Sequence, residues 1–572
     1  MKFMISRLAP YKWRMALGLT IKIAGTVAEL FLPVILSYIL DSVIVTESIT
    51  SVLLFGGLML VCAFAACICN IVANRMAAYV SMLFSREMRR ELFSKTLGLC
   101  AKDTDAFTIP SLESRITTDT YNVHHFVLMM QRMGVRAPIL LIGGLTISFI
   151  MDRFLALVML ATFPLIFIVV YLISKRGVPL YTRVQKSVDG MVRVVREDAQ
   201  GIRVIKALSK NEYENRRFDT ANRTLSRNER IAGTVMSIPN PVMTLLMTLG
   251  IAGVVALSAT RIANHQSSAA TVIAFMQYFT LISMAMMALS RMFVMFTKCA
   301  ASAKRISDVI DTPEKFFVTE AEDAPKSDAH IEFCKVSFSY FGKTNNLDDI
   351  SFSVKRGGSL GIIGATGSGK STLIKLLMRF YEADSGEILI NGRPITSYKK
   401  DDLTAMFGVA MQHDFLYSDT IEENIDFGRG LPHEKIERAA RIAQAHSFIS
   451  ETPEGYMHTL SPKGTNLSGG QRQRLLIARA IAASPDILIL DDSSSALDYK
   501  TDANLRRALS EQMTDTTIVT VAQRVSSVKD SDVILVLDDG KIIGKGTHEE
   551  LLCSCPEYKE ISDSQMGGAF VE

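Results

Sequence analysis

Six stretches of the chain stay apolar long enough to cross a bilayer, which takes roughly 20 residues each: 14–40, 52–74, 128–150, 154–174, 232–259 and 269–297. The links after the first, third and fifth are short (DSVIVTESITS, MDR and TRIANHQSS), whereas those after the second and fourth are long, polar and helix-forming. Basic residues gather in the long links, at Arg86, Arg89, Arg90, Lys95, Lys102 and Arg115, then from Lys175 and Arg176 through Arg203 and Lys206. The short links hold only Arg153 and Arg261. Lys and Arg are retained on the cytoplasmic face, so the long links, the N-terminus and the C-terminal half are predicted to be cytoplasmic. The apolar run after MKFMISRLAPYKWR is too long for a signal-peptide core, so it counts as the first span.

Residues 298–310 continue the sixth helix, and an acidic, Pro-containing linker follows. From Ile331 the pattern changes: strand-like runs (IEFCKVSFSY, GSLGIIG, GEILING, DILILD, TTIVTVA) alternate with helical ones, the signal of an α/β domain. The expected organisation is an all-α six-helix transmembrane domain over 1–310, a linker over 311–330 and an α/β domain over 331–572. A length of 572 residues fits this, being too great for one core. The mean hydropathy of +0.23 comes from the first 300 positions. The net charge of +4 is small, and its basic residues lie beside membrane spans, so no nucleic acid is expected as a partner. Of the eight cysteines, none falls in zinc-ligand spacing, and Cys553 and Cys555 are read as surface thiols.

The strand SLGII runs into Gly364-Ala365-Thr366-Gly367-Ser368-Gly369-Lys370-Ser371, and Thr372 continues into a helix. Glycines let backbone N–H groups wrap a polyphosphate at a helix N-terminus; Lys370 reaches the terminal phosphates and the Ser371 hydroxyl suits Mg²⁺. Downstream, the apolar strand ILIL ends in Asp491, a second candidate for Mg²⁺ at the carboxyl edge of a parallel sheet. ATP and Mg²⁺ are the expected ligands.

Between these motifs stands Leu467-Ser468-Gly469-Gly470-Gln471, and here the chain resembles the ATP-binding cassette (ABC) family. With six spans before the cassette, it is similar to the half-transporters of ABC exporters. SRITTDTYNVHHFVLMM and GIRVIKALSKNEYENRRF resemble that family's two intracellular coupling loops. The resemblance implies that Ser468 and its glycines contact the γ-phosphate of ATP held by an opposite cassette. It also implies that Tyr340 stacks on adenine, that Gln412 links Mg²⁺ and the lytic water to the membrane domain, and that Asp498 contacts the partner cassette.

Two positions depart from the family pattern. Asp492 stands where Glu usually polarises the attacking water, and Gln523 replaces the switch histidine. Asp retracts the carboxylate by about 1.3 Å, and a misplacement near 1 Å can cost roughly 100-fold in rate. Gln cannot become cationic. ATP is therefore expected to be held at this site and turned over slowly. The combination resembles the degenerate-site subunit of a heterodimeric exporter, whose different partner supplies Glu and His; a slow homodimer is the alternative. Pro462, in SPKGTN, replaces a glutamate that many exporters carry there.

In the membrane half, Lys22 and Glu29 share one helix face and either line a polar cavity or pair with neighbouring helices. Arg136 and Arg291 are read as snorkelling at the inner surface. His124 and His125 are read as packing or surface residues, and Pro239-Asn240-Pro241 as a kink. The methionines of the sixth helix (Met276, Met284, Met286, Met287, Met292, Met295) suit either helix packing or a pocket for varied apolar cargo. Membrane lipid and a small amphipathic drug, lipid or peptide are the expected partners. An importer, or an ATP-gated regulatory subunit, are the rival readings.

Overall fold

The computed structural model describes residues 2–44, 49–264, 266–313, 316, 318–319, 328–342, 344–412 and 414–566. The chain divides into two compact units, one of Met1–Leu97 with Ile109–Thr312 and one of Gly98–Thr108 with Pro313–Glu572. The division does not fall at a single chain position, because eleven residues from the tip of the first long link, 98 to 108, cluster with the second unit.

The first unit is helical. Its main helices are α1 (Lys12–Tyr38), α2 (Ile49–Gly98), α4 (Thr120–Met133), α5 (Arg136–Met151), α6 (Arg153–Ala207), α7 (Asn211–Ser237), α8 (Pro239–Ala263) and α9 (Ala269–Ile310), with α3 (Ala101–Phe107) belonging to the second unit. Among the described residues, five helical stretches are long and apolar enough to cross a membrane: Phe3–Val43, Ile49–Gly98, Ile109–Met151, Asn211–Ala263 and Ala269–Leu289. A sixth apolar stretch, Arg153–Val169, is shorter and opens the 55-residue helix α6.

Two of the expected spans are not single helices. The stretch 128–150 breaks between Met133 and Arg136, where Pro138 has no N–H to donate to the Gly134 carbonyl four residues back. The stretch 232–259 breaks at Ile238, because Pro239 is accommodated only at the start of a helix. Small residues bring the helices together. A Cβ on Gly25 would lie 2.7 Å from Cys69 Cβ of α2, and one on Gly143 would lie 2.6 Å from Leu30 Cδ1 of α1. Tyr278, fully buried in α9, donates its hydroxyl to the Leu30 carbonyl at 2.6 Å.

The second unit holds two sheets. Its strands are β1 (Ala329–Phe338), β2 (Leu347–Lys355), β3 (Ser359–Gly364), β4 (Ser385–Ile390), β5 (Arg393–Pro394), β6 (Phe407–Ala410), β7 (Ile487–Asp491), β8 (Thr517–Val521), β9 (Val533–Asp538) and β10 (Lys541–Gly546). An antiparallel sheet runs β2-β1-β4-β5 and a mixed sheet runs β10-β9-β3-β8-β7-β6. In the mixed sheet β6, β7, β8, β3 and β9 are parallel, with β10 antiparallel at the edge. All five residues of β7 are buried, as expected of a central strand covered on both faces.

Candidate functional site

Parallel strands deliver their carboxyl ends to one edge of a sheet, where ligands bind in α/β proteins. Ala410 pairs with Leu490 and Asp491 with Val521, so the residues just past β6, β7 and β8 emerge side by side. They are Gln412, Asp492 and Gln523. Together with the loop after β3 they line a cavity of about 820 Å³, whose wall includes Thr366, Gly367, Gly369, Lys370, Ser371, Thr372, Asp491 and Asp492.

The loop from Gly364 to Gly369 ends on helix α10 (Lys370–Leu377). Gly369 adopts φ +102°, which an L side chain rarely reaches and which turns the chain into the helix. Lys370 Nζ donates to the carbonyls of Gly364 (2.8 Å) and Ala365 (2.7 Å). Burial lowers its pKa, opposed by the carboxylates of Asp491 and Asp492. Ser368 is buried, and its Oγ has no hydrogen-bond partner among the described residues. Burial raises the Asp491 pKa, opposed by a hydrogen bond from Ser371.

Asp492 has φ +49°, a left-handed conformation that Asp tolerates better than most residues. Its Oδ2 accepts from Gln412 Nε2 and from Gln523 Nε2, each at 3.1 Å. The three residues thus form one polar group.

Other expected site residues lie elsewhere in the second unit. Ser468 caps helix α11 (Gly469–Ala482): its Oγ accepts from Gln471 N at 3.2 Å, while Gln471 Oε1 accepts from Ser468 N at 2.9 Å. Asp498 caps α12 (Tyr499–Gln512), accepting from Thr501 N at 2.9 Å, and this bond lowers its pKa. Neither cap, nor Leu467, Gly469 or Gly470, lines the cavity beside Lys370. Pro462 opens a short 3₁₀ turn in which Lys463 has φ +62°.

Tyr340 does not line that cavity either. Its ring meets Phe338 and Tyr381 edge-on at 4.9 and 5.0 Å, and its Oη lies 3.4 Å from Thr372 Oγ1. It lines a second cavity of about 290 Å³ together with Tyr381, Phe316 and Cys100.

The structure adds residues that the motifs do not announce. Thr344, Asn345, Asn346 and the turn Asp539-Gly540-Lys541 complete the wall of the larger cavity. The turn is tied to the glycine loop, since Gly540 N donates to Ser368 O at 3.2 Å. Its signal was the dipeptide Asp-Gly between two strands. Tyr381 donates its hydroxyl to Asp105 on α3.

In the membrane unit, Lys22 donates to Asn70 Oδ1 (2.7 Å) and Asn74 Oδ1 (3.1 Å), while Glu29 pairs with Arg136 at 2.7 Å. Pairing, not snorkelling, describes Arg136. His124 Nδ1 is 3.0 Å from the Ser81 carbonyl oxygen and His125 stacks on Tyr121. Met286 and Met287 pack on the apolar core, whereas Met276 and Met284 are exposed.

Comparison with known proteins adds the decisive observation. Residues 15–286 match the ABC transporter transmembrane region, and residues 347–495 match the ABC transporter cassette. The ABC transporter ATP-binding protein YfiB of Bacillus subtilis is 35% identical over 571 residues, spanning 98% of each chain. The chain belongs to the ABC transporter family. A second ABC transporter ATP-binding protein, exp8 of Streptococcus pneumoniae, is 31% identical over 99% of this chain and 97% of its own length. The solved structure of a bacterial Atm1-family ABC exporter with ATP bound shares the fold, with a TM-score of 0.82 at 23% identity over 99% of both chains. This ABC transporter is thus a multi-pass membrane protein whose cytoplasmic cassette binds and hydrolyses nucleotide.

Proposed function

We propose that the chain is one half of a heterodimeric exporter of small amphipathic molecules, holding ATP at its own site and lending helix α11, with its cap Ser468, to its mate's. The glycine loop with Lys370 cradles the phosphates, and Tyr340 faces adenine once its ring turns from Tyr381. Ser371, Asp491 and Gln412 offer oxygen ligands that suit Mg²⁺, which neutralises charge on the β- and γ-phosphates. The buried Ser368 Oγ, without a hydrogen-bond partner among the described residues, fits a ligand within the loop.

One observation carries the unequal division. Asp492 is the carboxylate that directly follows Asp491 at the end of β7, and its Oδ2 is held by Gln412 and Gln523, whereas the wall's other two carboxylates, Asp348 and Asp539, come from β2 and from the turn between β9 and β10. Two amide donors on one carboxylate oxygen take up the acceptor positions that a water would need there, and the side chain is one methylene shorter than Glu. Because Ser468 and Asp498 stand outside this cavity, they are free to complete a nucleotide site on another chain.

Single-turnover hydrolysis by the purified pair tests this. Asp492→Asn is expected to change turnover less than about twofold, while loss of the mate's glutamate costs about 10²-fold or more. Brisk hydrolysis by this chain alone overturns the proposal.

A further inference from the structure

The membrane unit carries a polar cluster that pairing alone does not exhaust. Lys22 is 3% exposed and is satisfied by two neutral amides, Asn70 and Asn74, rather than by an acid. Arg132 reaches the Asn74 carbonyl at 3.4 Å, and Arg136 takes the one nearby acid, Glu29. The Nε atoms of both arginines are buried without a partner among the described residues. Three cations therefore face one carboxylate. Such an imbalance is costly within a bilayer and marks a functional site.

An apolar groove of about 390 Å³ lies between α1 and α5; Glu29 and Arg136 are not in its lining, but Leu30, which is, follows Glu29 directly, and Pro138 and Ile139 stand within one helical turn of Arg136. Val27, Leu30, Phe31, Ile139, Ile142 and Gly143 line it, with almost no polar surface. Glu29 and Arg136 are both partly exposed, so their contact can be exchanged.

We propose that groove and cluster together bind a single-chain anionic amphiphile as cargo, its chain along α1 and α5 and its acid on Arg136, Arg132 and Lys22. Glu29 is the internal stand-in for that acid and competes with it. This rests on the reading of the chain as a carrier of amphipathic molecules and narrows it to one charge class.

Equilibrium binding of radiolabelled laurate and dodecyltrimethylammonium to the full chain in phosphatidylcholine nanodiscs tests this, after subtraction of uptake by protein-free discs. Laurate is expected to bind about tenfold or more tightly than the cation of equal chain length. Glu29→Gln, which removes the competitor, is expected to tighten laurate several-fold; a misfolded variant would weaken it. Equal affinities, or a Glu29→Gln chain that binds laurate no better, overturn the proposal. Loss of saturable laurate binding in phosphatidylglycerol discs also overturns it, in favour of a resident lipid. Bound ATP analogue, read on the same discs, reports an intact cassette. Laurate movement in sealed vesicles reads the carrier role separately, so binding without movement defeats that reading and leaves the site.

Discussion

Gln523 Nε2 lies 3.1 Å from Asp492 Oδ2, so the two residues that depart from the family pattern touch each other. They act as one altered unit. Restoring both, as Asp492→Glu with Gln523→His, is expected to raise hydrolysis at this site by about 10–100-fold in the assembled pair. Single-turnover assays with labelled ATP check it. No rise would defeat the proposal that these side chains make the site slow.

Ser468 caps α11, and the phosphate role proposed for it can be separated from that cap by substitution. Ser468→Ala removes the cap of α11 and is expected to cost about 1 kcal/mol of cassette stability. Ser468→Asp keeps a good cap but puts a negative charge where a phosphate is expected. It should melt like the parent while the mate's ATP hydrolysis is lost. Normal hydrolysis with Ser468→Asp would deny the serine any phosphate role.

Tyr381 joins α3 through Asp105 and touches Tyr340. Tyr381→Phe keeps the ring and loses the hydroxyl, leaving Asp105 without that donor. The expected result is about 1.5–3 kcal/mol of lost stability in this unit, since the acceptor is a carboxylate. ATP affinity should stay unchanged while stimulation of hydrolysis by cargo falls. Fluorescent-nucleotide titration beside stimulated ATPase assays separates the two.

Cys299 is buried, its Sγ lies 3.5 Å from Met4 Sδ, and burial pushes its pKa up to about 11. The raised pKa favours the thiol, and the thiolate is the reactive form, so roughly a thousandth is reactive at pH 8. N-ethylmaleimide at pH 8 should spare Cys299 and label the exposed Cys553 in the native protein, and label both in detergent-denatured chains. Mass spectrometry of the tryptic peptides reads the outcome.

The glycine loop, Asp491 and helix α11 with its Ser468 cap were legible because each is a contiguous motif tied to a strand end or helix start. The contact of Gln412 and Gln523 with Asp492 was not. Those residues are distant in sequence, and only the register of β6, β7 and β8 brings them together. The breaks near Gly134 and Ile238 fall inside apolar runs, where hydropathy hides a proline's effect. Lys22 and Glu29 were visible as charges, but their partners Asn70, Asn74 and Arg136 depend on helix packing, to which Gly25 and Gly143 contribute. Asp105 gave no signal at all, since one acid in a polar link is unremarkable.

The clustering of Gly98–Thr108 with the second unit bears on how the protein can be taken apart. A fragment starting after Thr312 would be cut from a helix that supplies Ala101 to its apolar core and Asp105 to Tyr381. Excised cassettes expressed that way would begin with an uncovered patch and a stranded phenol. Grafting residues 98–108 back through a flexible tether is the way to recover a soluble, well-behaved fragment.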